Sequence, residues 1–218
     1  MWRSSIAWGL ITSNMDNMME TFLNYFLIVY YTLFFTFAML LPTYRVWKTT
    51  GVNPYKLGTS DSAHDYIGRL FRITLIACAL LIAAFVFFPS VYEKFFPVSF
   101  LSQGGISGAG LILLLFALAW VLIAQQHMQK SWRIGIDEDV RTELVQRGLF
   151  KISRNPIFLG MRLMLLGLFL ILPNVVMLII GIVGEILIQI QVRLEEEYLT
   201  RIYRDSYLTY QKLVRRWF

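Results

Sequence analysis

The chain has a single cysteine, Cys78, and two histidines, His64 and His127. One thiol forms no intrachain disulfide, and one Cys with two His is a poor ligand set for zinc, so no metal site is expected. No Ser-His-Asp or Cys-His set stands out, and covalent nucleophilic catalysis is therefore not the expected chemistry. Charge is scarce as well: Asp, Glu, Lys and Arg make up 16% of the residues and hydrophobic residues 57%, where soluble domains have about 25% and 45–50%. That balance excludes an ordinary soluble domain. The one glycine-rich tract, "GGISGAG" at 104–110, lacks the GxGxxG spacing and follows no expected strand. It reads as a loop and the start of a close-packing helix, not as a phosphate cradle. Arg3 is followed by a short apolar stretch broken by Thr12, Ser13 and Asn14, so no cleaved signal peptide is expected.

Apolar blocks of membrane-spanning length are present instead. They fall at about 22–42, 70–89, 107–124, 157–172 and 175–192. A helix of roughly 20 residues crosses the roughly 30 Å of bilayer hydrocarbon. The expected fold is an all-α integral membrane protein with five transmembrane helices and a C-terminal amphipathic helix. Pro173-Asn174 makes a tight turn, so the last two spans form a hairpin. "SAHD" at 62–65 reads as a helix start capped by Ser62.

The net charge of +6 does not form a stripe for nucleic acid. It clusters between the apolar blocks, in 43–69, 125–156 and 193–218, whereas 90–106 and 173–174 carry only Lys94. By the positive-inside rule the N-terminus is outside and the C-terminus cytoplasmic, with the protein in a cytoplasmic (inner) membrane. Residues 1–124 form an N-terminal membrane region and residues 125–218 a core with the cytoplasmic tail.

Several polar residues stand where they are costly. His127 and its neighbouring glutamines end the third span and either meet the headgroups or line a polar pocket. Glu185 falls near the middle of the fifth span. At 100° per residue Gln189 lies about 40° from it, Glu196 about 20° and Arg193 about 80°. That stripe is either a hydrogen bond to a neighbouring helix or the wall of a cavity. Arg162 either snorkels outward or faces the same stripe. In "ISRNPIFLG", 152–160, Pro156 supplies no N–H and disfavours helix at Asn155. Irregular backbone at membrane depth requires protein or a wet cavity around it.

"ELVQRGLFKISRNPIFLG", a two-span hairpin and then "EEEYLTRIYRDSYLTYQKLVRRW" together resemble the isoprenylcysteine carboxyl methyltransferase and phospholipid methyltransferase superfamily. Leu144, Val145, Gly148, Phe150, Arg154, Asn155, Pro156, Phe158 and Gly160 match its first motif. Glu195, Glu196, Leu199, Tyr207 and Tyr210 match its second. The resemblance covers 125–218 and implies an S-adenosylmethionine-dependent methyltransferase acting on a membrane lipid or lipidated small molecule. The acceptor atom is left open among carboxylate, amine, hydroxyl and thiol. The resemblance implies a cofactor site of Gln129, Thr142, Glu143, Leu144, Val145, Phe150, Asn155, Pro156, Ile157, Phe158 and Glu195. Arg154, Arg193 and Glu196 are the candidate catalytic residues, and Gln191, Glu185 and Arg162 the candidate substrate contacts. There are departures from the pattern: Thr142 and Asn155 stand where histidines are usual, Gln191 where an arginine is, and Arg204 where a glycine is. The rival readings are an NADPH-dependent membrane reductase of the sterol and steroid type, and a non-catalytic membrane protein.

Overall fold

The computed structural model describes residues 2–51, 62–128 and 143–218, with residues 2–17 described by their backbone alone. Among the described residues the structure is helical throughout and contains no strand. The long elements are α1 (Trp2–Phe35), α2 (Leu41–Thr50), α3 (Ala63–Phe87), α5 (Gly104–Met128), α6 (Pro156–Ile171), α7 (Val175–Tyr203) and α8 (Asp205–Leu213), with a one-turn α4 at Pro89–Tyr92. Among the described residues four stretches are long and apolar enough to cross a membrane: Met18–Thr50, Ala63–Phe87, Gly104–Met128 and Val175–Tyr203. The remaining expected span is α6. Its 16 residues make a rod of about 24 Å at 1.5 Å per residue. Side chains such as Leu80 and Ile112 stand outward, as surfaces that meet lipid do. Ser62 caps α3 as its sequence implies, its hydroxyl accepting from the Asp65 amide at 3.1 Å.

The first span runs further than its apolar block. It passes through a π-helical turn at Thr36–Leu40, continues past Pro42, and ends only where Gly51 takes a left-handed φ of 70°. The cause of the π turn is local. Pro42 has no N–H for the carbonyl four residues back, which belongs to Ala38. A stranded carbonyl at this depth needs a donor, and the Gln125 side chain on α5 supplies one at 2.5 Å. A proline in one helix thus fixes the approach of another.

α5 packs along α6, α6 against α7, and α3 against α7. Leu114, Ala117 and Val121 of α5 meet Met164, Leu165 and Leu168 of α6 in the core. The α5–α6 contact is close because two glycines face each other. A Cβ at Gly110 would lie 3.0 Å from the Gly167 carbonyl, and one at Gly167 would lie 2.8 Å from a Leu114 methyl. The glycine-rich tract is helical from Gly104, not partly a loop, and of its four glycines only Gly110 packs closely. At the hairpin, Asn174 caps α7 by accepting from the Met177 amide at 2.8 Å and reaches the Tyr92 hydroxyl at 3.2 Å.

The tail departs from a single amphipathic helix. α7 continues unbroken to Tyr203, and α8 follows only after Arg204, which adopts φ 46° and ψ −122°. This is a conformation that glycine takes freely and other residues rarely do, which explains why a glycine is usual there. Two outcomes follow for the protein in detergent. Gly167→Leu should wedge α5 from α6 and cost about 1–3 kcal/mol by overpacking, read as a lower thermal midpoint. Arg204→Gly should relieve backbone strain and stabilise by up to about 1 kcal/mol, read as a higher midpoint.

Candidate functional site

The irregular corner Ile152–Asn155 exists because Pro156 starts α6. Pro suits that first position, where an N–H would lack a partner in any case. Asn155, with φ −130° and ψ 55° before it, does not cap the helix. Its side chain instead donates to Glu196 Oε1 at 3.1 Å. Arg154 donates to the same carboxylate through Nη2 at 3.1 Å and Nε at 3.3 Å. Its Nη1 is taken by the carbonyls of Gln211 and Val214, both at 3.1 Å. Arg216 completes the cluster, with 2.8 Å from Nη2 to Oε2 and 3.1 Å from Nε to Oε1. Hydrogen bonding to this carboxylate raises the Arg216 pKa above its ordinary value. Glu196 is 5% exposed, so two guanidinium groups and an amide answer a charge largely removed from water.

The chain after α8 is held on the same corner. The Arg154 amide donates to the Arg215 carbonyl and the Ser153 hydroxyl to the Arg216 carbonyl, each at 3.0 Å. Tyr210 donates to the Phe150 carbonyl at 2.6 Å. Burial pushes the Tyr210 hydroxyl up to about 12, so it remains a donor at neutral pH. Behind Phe150, Gly148 takes φ +59°. A side chain there would collide with the His127 ring. That ring accepts from the Leu149 amide at 3.3 Å, and the His127 carbonyl accepts from Arg147 at 3.0 Å. The polar end of α5 therefore clamps the turn that carries Phe150.

In front of this corner lies a cavity of about 210 Å³. Eight residues expected at the site line it: Phe150, Arg154, Asn155, Pro156, Ile157, Phe158, Gln191 and Glu195. The rest of the wall is mostly apolar and comes from α1 with its π turn, α3 and α5. Glu196 stands behind the wall, holding it. The two adjacent glutamates are separated by the 100° step of the helix: Glu196 faces the arginine cluster, while Glu195 lines the cavity and accepts from Gln191 Nε2 at 3.1 Å. The same nitrogen is 2.7 Å from His64 Nε2 on α3. The carboxamide oxygens of Gln125 and Gln191 are buried without a partner among the described residues.

Other expected site residues stand elsewhere. Glu185 binds Arg162 at 2.7 Å and Gln189 at 2.8 Å. Arg162 also stacks 4.4 Å from the Trp217 ring centre. Arg193 is exposed and bonds Gln189. Glu185, Arg162 and Arg193 form a second polar group that does not line the cavity. Glu143 is exposed and Leu144 and Val145 are partly buried, also off the cavity wall. Gln129 and Thr142 lie outside the described residues. Gln125, one of the glutamines beside His127, lines the cavity, and so does Arg72, which was not singled out. The polar run ending the third span was the only signal for Gln125, and Arg72 reads in sequence as an ordinary snorkelling cation.

Removing the central carboxylate gives a sharp expectation. Glu196→Ala should cost about 3–5 kcal/mol, since it strands buried guanidinium groups. The exposed neighbour change Glu197→Ala should stay within about 0.5 kcal/mol. Thermal unfolding of the two variants in detergent compares them directly.

No curated protein matches the chain. Residues 105–206, just under half of it, match the family model described as phospholipid methyltransferase. The match runs from the start of α5 to the beginning of α8 and contains the Arg154-Asn155-Pro156 corner, both glutamates and the hairpin between them. That family lies within the isoprenylcysteine and phospholipid methyltransferase superfamily, which this core resembles, and the match supports a membrane methyltransferase.

Proposed function

We propose that the protein transfers a methyl group from S-adenosylmethionine to a lipid-like acceptor held in the membrane. The observation that carries this reading is a carboxylate, Glu195, on the wall of a largely apolar cavity whose other side is the Asn155-Pro156 corner, all within the family match. Such a carboxylate suits the methyl donor's cationic groups. A carboxylate in an apolar wall attracts a sulfonium or an ammonium. The unpaired oxygens of Gln125 and Gln191 are buried at the same cavity. When bound, S-adenosylmethionine supplies an electrophilic methyl group that needs no enzyme nucleophile.

The chain's own residues then position and enclose. Phe34, Phe71 and Phe158 with Met39, Met128 and Met161 exclude water from the cavity. Tyr210 and His127 hold the turn that presents Phe150, and Glu196 holds Asn155 in place. In-line displacement depends on such positioning, because two reactants in fixed geometry react as one molecule. In this reading α6 completes a five-span topology, with the N-terminus outside and the cavity facing the cytoplasm of a bacterial-type inner membrane. The lysines and arginines gathered beyond the inner ends of the spans support it. The acceptor reaches the cavity from the bilayer between α1 and α3, whose apolar side chains form that part of the wall.

The purified protein should bind S-adenosylhomocysteine and transfer labelled methyl groups into a membrane lipid extract. Glu195→Ala should weaken that binding by about tenfold or more, the loss of one charge-assisted contact of ~1.4 kcal/mol. Tight NADPH binding with no affinity for S-adenosylhomocysteine would instead establish a reductase.

A further inference from the structure

The Gln191 carboxamide is fixed from two sides. One of its N–H groups reaches His64 Nε2 at 2.7 Å and the other reaches Glu195 at 3.1 Å. The carboxylate cannot donate in its ionised form, so it sets which end of the amide faces it. With the carboxylate ionised, Nε2 of His64 is the accepting nitrogen and the ring carries its proton on Nδ1. Both donors of the amide are consumed, and its oxygen is left buried without a partner.

Gln125 repeats the arrangement from the opposite side. Its N–H is held by the Ala38 carbonyl, and its oxygen is likewise buried and unpaired. Two glutamines on α5 and α7, each with its nitrogen anchored, thus bring an unpaired acceptor oxygen to one cavity; Gln191 has both its N–H groups engaged and Gln125 one. Buried acceptors are costly when unpaired, and a ligand bearing a donor removes that cost. Arg154 offers no competing donor, since all three of its nitrogens are engaged.

His64 also lies where α3 meets the site. Gly68, Phe71, Arg72 and Leu75 line the cavity, and with His64 they follow the i, i+4, i+7, i+8, i+11 spacing of one helix face. His64 is at the end of that face and is 8% exposed. It falls outside residues 105–206, so the family match says nothing about it.

We propose that His64 is a positioning residue of the transfer site, setting the Gln191 carboxamide so that Gln191 and Gln125 present paired acceptor oxygens to an N–H or O–H on the head of the methyl acceptor. The inference rests on the methyltransferase reading and adds to it a role for a helix outside the matched core. It also explains a departure from the family pattern: Gln191 stands where an arginine is usual, and an anchored amide oxygen selects a donor where a guanidinium selects an anion.

The test is a double-mutant cycle on the full chain in mixed micelles, with labelled methyl donor and a membrane lipid extract as the acceptor probe. His64→Leu and Gln191→Leu should each raise the apparent KM for the extract by about tenfold, as loss of one hydrogen bond does. The double variant should be no worse than either single one, because His64 acts through Gln191. His64→Gln, which keeps an acceptor near the Nε2 position, should return to within about twofold of the parent. Affinity for S-adenosylhomocysteine should hardly change in the two His64 single variants, which leave Glu195 its Gln191 partner. Additive effects, an unchanged KM, or weakened S-adenosylhomocysteine binding in place of the KM change would each overturn the proposal. If His64→Leu does not fold, the pair His64→Gln and Gln125→Leu decides: the first should match the parent and the second should raise KM, and the opposite order overturns the proposal. A parent protein that binds no S-adenosylhomocysteine would remove the methyltransferase reading itself, a result distinct from normal binding with no role for His64.

Discussion

The carboxylate of Glu196 is the constraint on which the site depends. A charge buried this far from water must be paired, and three segments of the chain meet to pair it: the Arg154-Asn155 corner, α7 itself, and Arg216 beyond α8. Once they meet, the corner cannot relax into helix, Pro156 is fixed at the start of α6, and the wall of the cavity is set. The neighbouring Glu195 is free of these partners because one helical step turns it to another face. Two adjacent glutamates therefore do different work. One holds the architecture, and the other lines the cavity.

A second theme is how the helices tolerate proline at membrane depth. Pro42 leaves the Ala38 carbonyl without its helical donor, and Gln125 supplies one. The Pro156 carbonyl accepts from the Trp120 indole at 2.9 Å. Both donors come from α5, and both irregular stretches border the same cavity. This follows from the absence of water in hydrocarbon: backbone that leaves the helical ladder must find a protein donor or a wet pocket. α5 thus ties the N-terminal helices to α6 and the corner that precedes it.

Much of this was readable before any coordinates. Block lengths and the Ser62 cap placed the helices, the Pro173-Asn174 turn placed the hairpin, and the paired motifs identified which residues gather. Eight of the expected site residues share one cavity because those motifs concern local backbone: a proline-started helix and a glutamate pair at fixed helical phase. Helix ends were less readable. Polar residues extended the first span to Thr50 and α7 to Tyr203, since a helix once formed continues until a residue stops it, whatever its polarity. Arg154 shows the limit of reasoning from residue type. It suggests an anion site, yet its donors are spent on Glu196 and on two carbonyls of the tail.

Sequence alone determined that the chain is a bundle of apolar helices in a membrane, since burial in lipid requires only length and composition. It also determined the two motifs, since each is built from neighbours in the chain. Only the tertiary structure decided which partners those motifs meet. Glu185 turns to Arg162 and away from the cavity, and the clamp of His127 on Gly148, the bond from Gln125 to Ala38 and the contact of His64 with Gln191 join residues far apart in the chain. No periodicity carries that information, because such pairs arise from the way rigid helices pack and from the demand of each buried polar group for the partner within reach.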